Sequence, residues 1–185
     1  MLLTKMLKKV TFLKEYRCFK KGDTFTFEPL TILVGDQGCG KSTMISLLAD
    51  ASSDRTKEII RIVSGKIETR YFDYEKHNPR MSHYVESVLD VALRFASHGQ
   101  FVTALNDTMT KQKGVCWLQD EPDGNLSIRS CLSLAKQFKA AIANGCQIIA
   151  SIHSYTVMEQ FPKVYSLEHR KWMLPLEFRD LHCHT

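Results

Sequence analysis

The sequence predicts an α/β fold: a mostly parallel sheet flanked by helices, led by a small N-terminal antiparallel β segment. Three observations carry that expectation. Apolar segments of strand length alternate with segments of helix length, an order that pairs strands in parallel through crossovers. A glycine-rich turn, residues 35–40, stands directly after an apolar run and directly before a helical one. The 185 residues, 44% hydrophobic and 24% charged, suit one domain with one sizeable core, which excludes collagen, a long coiled coil and a disordered tail.

Alternation over 9–13 (KVTFL) and 24–28 (TFTFE) predicts two early strands, expected to pair as an antiparallel flap. Residues 30–34 (LTILV) form a strand with little polar interruption, as burial in a parallel sheet requires. After the glycine turn, residues 41–50 (KSTMISLLAD) read as a helix. A strand at 68–73, helices at 82–96 and 100–112, a strand at 115–119, a helix at 127–143 and a strand at 147–152 complete the alternation. The expected organisation is a single domain over 1–185: a basic β segment at 1–29, the core at 30–168 and a C-terminal tail at 169–185. There is no internal repeat, low-complexity linker or sustained heptad.

Charge is unevenly placed. Lys5, Lys8, Lys9, Lys14, Arg17, Lys20 and Lys21 precede residue 22 against only Glu15, an excess of six; with a net +5 overall, the rest of the chain carries about −1. Such a segment suits a local anionic partner and argues against a protein that coats nucleic acid generally. No stretch reaches the roughly 18 apolar residues of a membrane span, and MLLTKMLKKV is charged too early for a signal peptide, so a cytoplasmic protein is expected. The six cysteines form no CxxC pair, and several lie in apolar runs as small buried hydrophobes of a reduced compartment. His182, Cys183 and His184 crowd three metal-ligand types on a short tail without a rigid frame, and no metal site is expected there.

The segment Gly35-Asp36-Gln37-Gly38-Cys39-Gly40-Lys41-Ser42 satisfies GxxxxGK[ST] in the strand-to-helix setting the motif requires. Its glycines let consecutive N–H groups face one concavity, the helix N-terminus adds positive potential, and Lys41 brings a full charge to terminal phosphates. The Ser42 hydroxyl is placed to bind Mg²⁺, and Thr43 completes the cradle. Cys39 occupies one of the motif's free positions. The apolar strand ending Asp120-Glu121 offers two acids with different tasks. Asp120 can hold the magnesium shell, and Glu121, one step further out, can polarise an attacking water. His153, after the strand at 147–152, can sense a terminal phosphate as a neutral hydrogen-bonding group, and its spacing from Glu121 puts it on the neighbouring strand.

The order GDQGCGKST (35–43), SHGQ (97–100), LQDEPDGNLS (118–127) and IIASIHS (148–154) resembles the ATP-binding-cassette (ABC) class of P-loop ATPases. Within it, the chain is similar to the soluble SMC, RecF-type and OLD-type branch, and to small stand-alone ATPases carrying DEPE-x-x-LS. The resemblance spans about residues 8–168. It implies an ABC-ATPase-like P-loop NTPase that uses ATP and Mg²⁺, with catalytic Lys41, Glu121 and His153. It implies nucleotide contacts from residues 35–43 and metal contacts from Ser42 and Asp120. Ser97, Gly99 and Gln100, with His98 in place of the commoner glycine, match the signature that reaches a nucleotide held by a second subunit. Tyr16 or Phe19 is the candidate for stacking adenine. No clear Q-loop glutamine precedes the signature; residues 70–75 occupy its place. The D-loop position carries Ser127 where aspartate is usual.

The resulting expectation is an Mg-dependent ATP hydrolase that works through an ATP-sandwich homodimer. It serves DNA repair, recombination or genome defence with a separate effector such as a nuclease, and DNA contacts come from the basic N-terminal segment. A nucleotide-gated adaptor of low turnover is the alternative; a small-molecule P-loop kinase ranks lower, and a transporter subunit lowest.

Overall fold

The structure, a computed structural model, describes residues 6–73 and 107–183. Nine strands and five helices are named among them. The strands are β1 (Leu7–Phe12), β2 (Thr24–Thr26), β3 (Leu30–Val34), β4 (Ile60–Ser64), β5 (Glu68–Asp73), β6 (Val115–Asp120), β7 (Gln147–Ser151), β8 (Val164–Ser166) and β9 (Lys171–Met173). The helices are α1 (Lys41–Ala49), α2 (Asp54–Ile59), α3 (Ile128–Ala143), α4 (Tyr155–Met158) and α5 (Pro175–Cys183). A six-stranded sheet runs β5-β6-β7-β3-β8-β9, parallel except for β9, and a three-stranded antiparallel sheet runs β2-β1-β4. This is the expected mostly parallel sheet beside a small antiparallel one.

The two-residue period of the central strands sorts their side chains into two cores. Ile32, Val34, Trp117, Ile148 and Ala150 face the cluster that contains Leu134 and Phe138 of α3. Leu33, Cys116, Leu118 and Ile149 join the other cluster, with Met44, Ile45 and Leu48 of α1 and Val10, Phe12 and Phe25 of the small sheet. Helix α3 fits its place because Cys131, Leu134, Ala135 and Phe138 recur at helical spacing, and the Ser127 hydroxyl caps its start by accepting from the Ser130 N–H at 3.2 Å.

Several elements differ from expectation. The antiparallel flap has a third strand, β4, reached only after α1 and α2. The segment read as a tail instead supplies β9 and α5, and β8 sits within the core sheet beside β3. The first predicted strand starts earlier, and a register shift between Leu7 and Lys9 leaves Lys8 and Lys9 both exposed. The predicted helix at 82–96 and residues 100–106 lie outside the described residues, while 107–110 are helical.

Gln147 joins the two sheets. Buried at 1% exposure, it accepts from the Leu7 N–H at 2.9 Å and donates to the Leu7 and Glu28 carbonyls at 2.8 and 3.1 Å. Gln147→Leu leaves these groups without their partner, and the expected loss is about 2–4 kcal/mol in urea unfolding, since each orphaned buried polar group costs roughly 1–3 kcal/mol. A midpoint equal to the parent's would disprove the clamp.

Candidate functional site

β3, β6 and β7 are neighbours and parallel, so the segments leaving their C-terminal ends meet at one edge of the sheet. The loop after β3 is the glycine turn. Gly35 takes φ +141° and Gly40 φ +106°; a Cβ on Gly35 would lie 2.6 Å from the Cys39 sulfur, and one on Gly40 would strike Cys18 and the Phe19 ring. Only glycine fits either position. Among the described residues no side chain caps α1 behind the loop, which turns the helix's positive end toward it.

Lys41, 5% exposed, folds back along this loop and donates from Nζ to the Gly35 and Asp36 carbonyls at 2.7 and 3.1 Å. Its ammonium is therefore held within the concavity. Cys39 lies beside it, Sγ to Nζ 3.8 Å, yet burial raises the thiol's pKa against the pull of Lys41, so it is not an activated thiolate.

Asp120 ends β6 almost wholly buried and accepts from the Ser151 hydroxyl at 2.6 Å. Burial raises its pKa above the usual carboxylate value; hydrogen bonds from Ser151 and Ser42 oppose the rise, and the nearby Asp73 and Glu121 charges add to it. Asp73 ends β5 in register with Asp120. The Ser42 hydroxyl and the Asp120 carboxylate are thus adjacent, in a setting of hard oxygen donors and crowded negative charge that fits Mg²⁺.

Because the folded pKa of Asp120 exceeds the unfolded one, the folded state holds its proton to higher pH. Stability from this group is present below the unfolded value and falls as pH rises through the folded one. Asp120→Asn is therefore expected to raise the melting temperature at pH 7 without metal, the gain shrinking toward pH 4. A thermal melt showing the variant no more stable than the parent at pH 7 would contradict this.

Glu121 follows with left-handed φ of 51°, its N–H donating to Ser151 Oγ at 2.8 Å. Its Oε1 lies 3.0 Å from His153 Nε2, and both side chains are partly exposed. The Asp123 carboxylate orients the histidine's backbone, accepting from the His153 and Ser154 N–H groups at 2.8 and 2.5 Å; its other oxygen is buried and has no partner among the described residues. Burial raises the Asp123 pKa, against the two backbone donors. Ser151 and Asp123 escaped the sequence reading. The signals were a small hydroxyl residue closing β7 and a third acid in DEPD.

A cleft of about 530 Å³ is lined in part by Tyr16, Arg17, Ser42, Thr43, Asp73 and Asp120. Arg17 donates to the Thr43 hydroxyl at 3.0 Å, which brings one charge of the basic segment to the site. Tyr16 borders this cleft half-buried, whereas Phe19 stacks on Phe12 with centroids 4.2 Å apart in the core and is no candidate for stacking a base. Gly35, Asp36 and Gln37 line a second cleft of about 560 Å³ with Glu121 and His153. Gly38, with φ +84°, completes the turn. Ser97, His98, Gly99 and Gln100 lie outside the described residues.

No protein-family model matches the sequence, and no curated protein does. Solved structures do. A metal-chelate type ABC transporter in an inward-facing conformation aligns with TM-score 0.60 and 14% identity over 94% of this chain and 85% of its own. CbiO1 from Clostridium perfringens, part of the ABC transporter complex cbiONQ, aligns with TM-score 0.57 and 13% identity over 95% and 92%. A bacterial Atm1-family ABC exporter with ATP bound aligns with TM-score 0.55 and 15% identity over 97% of this chain and 41% of its own. Among the described residues no helix is long and apolar enough to cross a membrane. Sheet order, glycine loop and structural neighbours agree: this chain has the ABC ATPase fold.

Proposed function

We propose that the chain binds and hydrolyses ATP with Mg²⁺, two copies closing around two nucleotides. One observation carries the reading: Glu121 and His153 meet at 3.0 Å at the sheet edge where the Lys41 loop and the Ser42–Asp120 pair also lie. Lys41 and the amides of residues 35–43 hold the phosphates, while Ser42 and Asp120 hold the metal, with Asp73 adding a further carboxylate. Mg²⁺ held by these residues would supply neutralisation of the phosphate charge. Glu121 takes the proton of the water that attacks the γ-phosphorus. His153, held by Asp123, hydrogen-bonds the terminal phosphate and registers its loss. Tyr16 stacks on the base at the cleft wall.

Glu121 and His153 are partly open to solvent in the single chain. That exposure supports completion of the site by Ser97, Gly99 and Gln100 of a second copy, whose serine hydroxyl and N–H groups would contact the γ-phosphate. Size-exclusion chromatography with ATP and Mg²⁺ tests the pairing.

The dimer serves DNA repair, recombination or genome defence, with a separate effector such as a nuclease. Support comes from Lys8, Lys9, Lys20 and Lys21, all exposed and without an ion pair among the described residues. Changing the four to Gln is expected to remove salt-sensitive DNA binding, since each phosphate contact contributes a slope of about 0.9 in log K against log salt. Equal binding by variant and parent would refute the DNA face.

A further inference from the structure

We propose that Asp36, Glu168 and His182 form a site for a divalent transition-metal ion of the Zn²⁺ type, which pins helix α5 to the phosphate loop. The three residues come from three separate places: Asp36 from the loop after β3, Glu168 from the turn after β8, and His182 from the last turn of α5. Their ligand atoms lie within 4.8 Å of one another.

The state of the imidazole argues for a cation. His182 Nδ1 lies 2.8 Å from the Phe178 carbonyl oxygen, which can only accept, so Nδ1 carries the hydrogen and donates. In the neutral ring the lone pair is then on Nε2. That atom faces Glu168 Oε2 at 3.3 Å and Asp36 Oδ1 at 3.5 Å. When protonated, Nε2 donates to Glu168 Oε2 at 3.3 Å; in the neutral tautomer its lone pair is offered, beside the two carboxylates, to a cation. A divalent ion at this point would be within reach of one ligand atom from each of the three residues.

The spacing fits as well. Ligand bonds of about 2.0–2.1 Å at tetrahedral angles separate the ligand atoms by about 3.3–3.4 Å, close to both observed distances. The carbonyl of Phe178 is the backbone partner that fixes a ligating histidine's tautomer and ring orientation. The second cleft reaches Asp36, Phe178 and His182 and gives an ion a way in. An imidazole with two carboxylates favours Zn²⁺, Co²⁺ or Ni²⁺ over Mg²⁺, which prefers oxygen ligands and its own water. Asp36 is the second residue of the phosphate loop, so the ion would tie that loop to the C-terminal helix.

The test uses the full chain stripped with EDTA, free of nucleotide and in excess Mg²⁺. Zn²⁺ is titrated by calorimetry and Co²⁺ by its visible absorption. One equivalent is expected to bind at micromolar concentration or tighter. His182→Ala and Glu168→Gln are each expected to weaken it by about tenfold or more, and Cys183→Ser to leave it unchanged. Parental affinity in both ligand variants, or absence of any Co²⁺ spectrum in the parent, overturns the site. Loss in Cys183→Ser with retention in Glu168→Gln also overturns it, by assigning the ion to the C-terminal tail. Both ligand variants alter partly exposed side chains, and their circular dichroism melts establish that they fold. No step requires ATP, so the outcome is independent of the proposed hydrolysis.

Discussion

Lys41→Ala is expected to weaken ATP binding by about two orders of magnitude, read by equilibrium binding of labelled ATP. The ammonium's position sets this magnitude. At 5% exposure it is bonded within the loop to the Gly35 and Asp36 carbonyls, so its charge is already desolvated and aimed at the concavity. A charge-assisted hydrogen bond contributes roughly 1.5–3 kcal/mol, and about 2.8 kcal/mol corresponds to a hundredfold change. The variant should fold, because α1 is anchored through Met44, Ile45 and Leu48, each fully buried on the far side of the loop's chemistry. Unchanged ATP affinity would remove Lys41 from the phosphate site and with it the reading of residues 35–43 as a nucleotide cradle.

Glu121→Gln is expected to lower hydrolysis by about 10²–10⁴-fold, the usual contribution of a positioned general base, while leaving nucleotide bound. The amide keeps the length needed to meet His153 Nε2 at 3.0 Å but cannot take a proton from water. Its backbone is unaffected, since the left-handed turn at Glu121 is held by the N–H bond to Ser151 and by the sheet. With hydrolysis blocked, ATP and Mg²⁺ should shift the variant to a dimer on size-exclusion chromatography, and ADP should not. Hydrolysis at the parental rate would exclude Glu121 as the base. A variant that remains monomeric with ATP and Mg²⁺ would defeat the sandwich arrangement.

The parts of the fold legible in the sequence are those whose signal is local. β3, β6 and β7 are buried on both faces and read as apolar runs; the glycine loop declares itself by motif; α3 shows its buried stripe at helical spacing. The missed elements carry weak local signals. β4 is largely exposed beyond its first residue, β8 and β9 are three residues each, and α5 lies in a stretch whose local pattern reads as a tail. Such short strands are stabilised by the neighbour they pair with more than by their own pattern. Phe19 follows the same logic: its place in an aromatic cluster with Phe12 and Phe25 depends on how the small sheet packs over α1, which no local spacing encodes.

By itself the sequence determined an α/β alternation, a phosphate-type loop, an acidic strand end and a basic leading segment, because each is written in adjacent residues. Only the tertiary structure decided which of these meet. Setting β6 beside β7 brings Glu121 to His153 and lets Ser151 bridge Asp120 and the Glu121 backbone, across about thirty residues of chain. Folding α5 back places His182 against Asp36, 146 positions earlier in the chain. Those encounters follow from sheet order and long-range closure, whereas periodicity along the chain reports only the face on which each side chain lies.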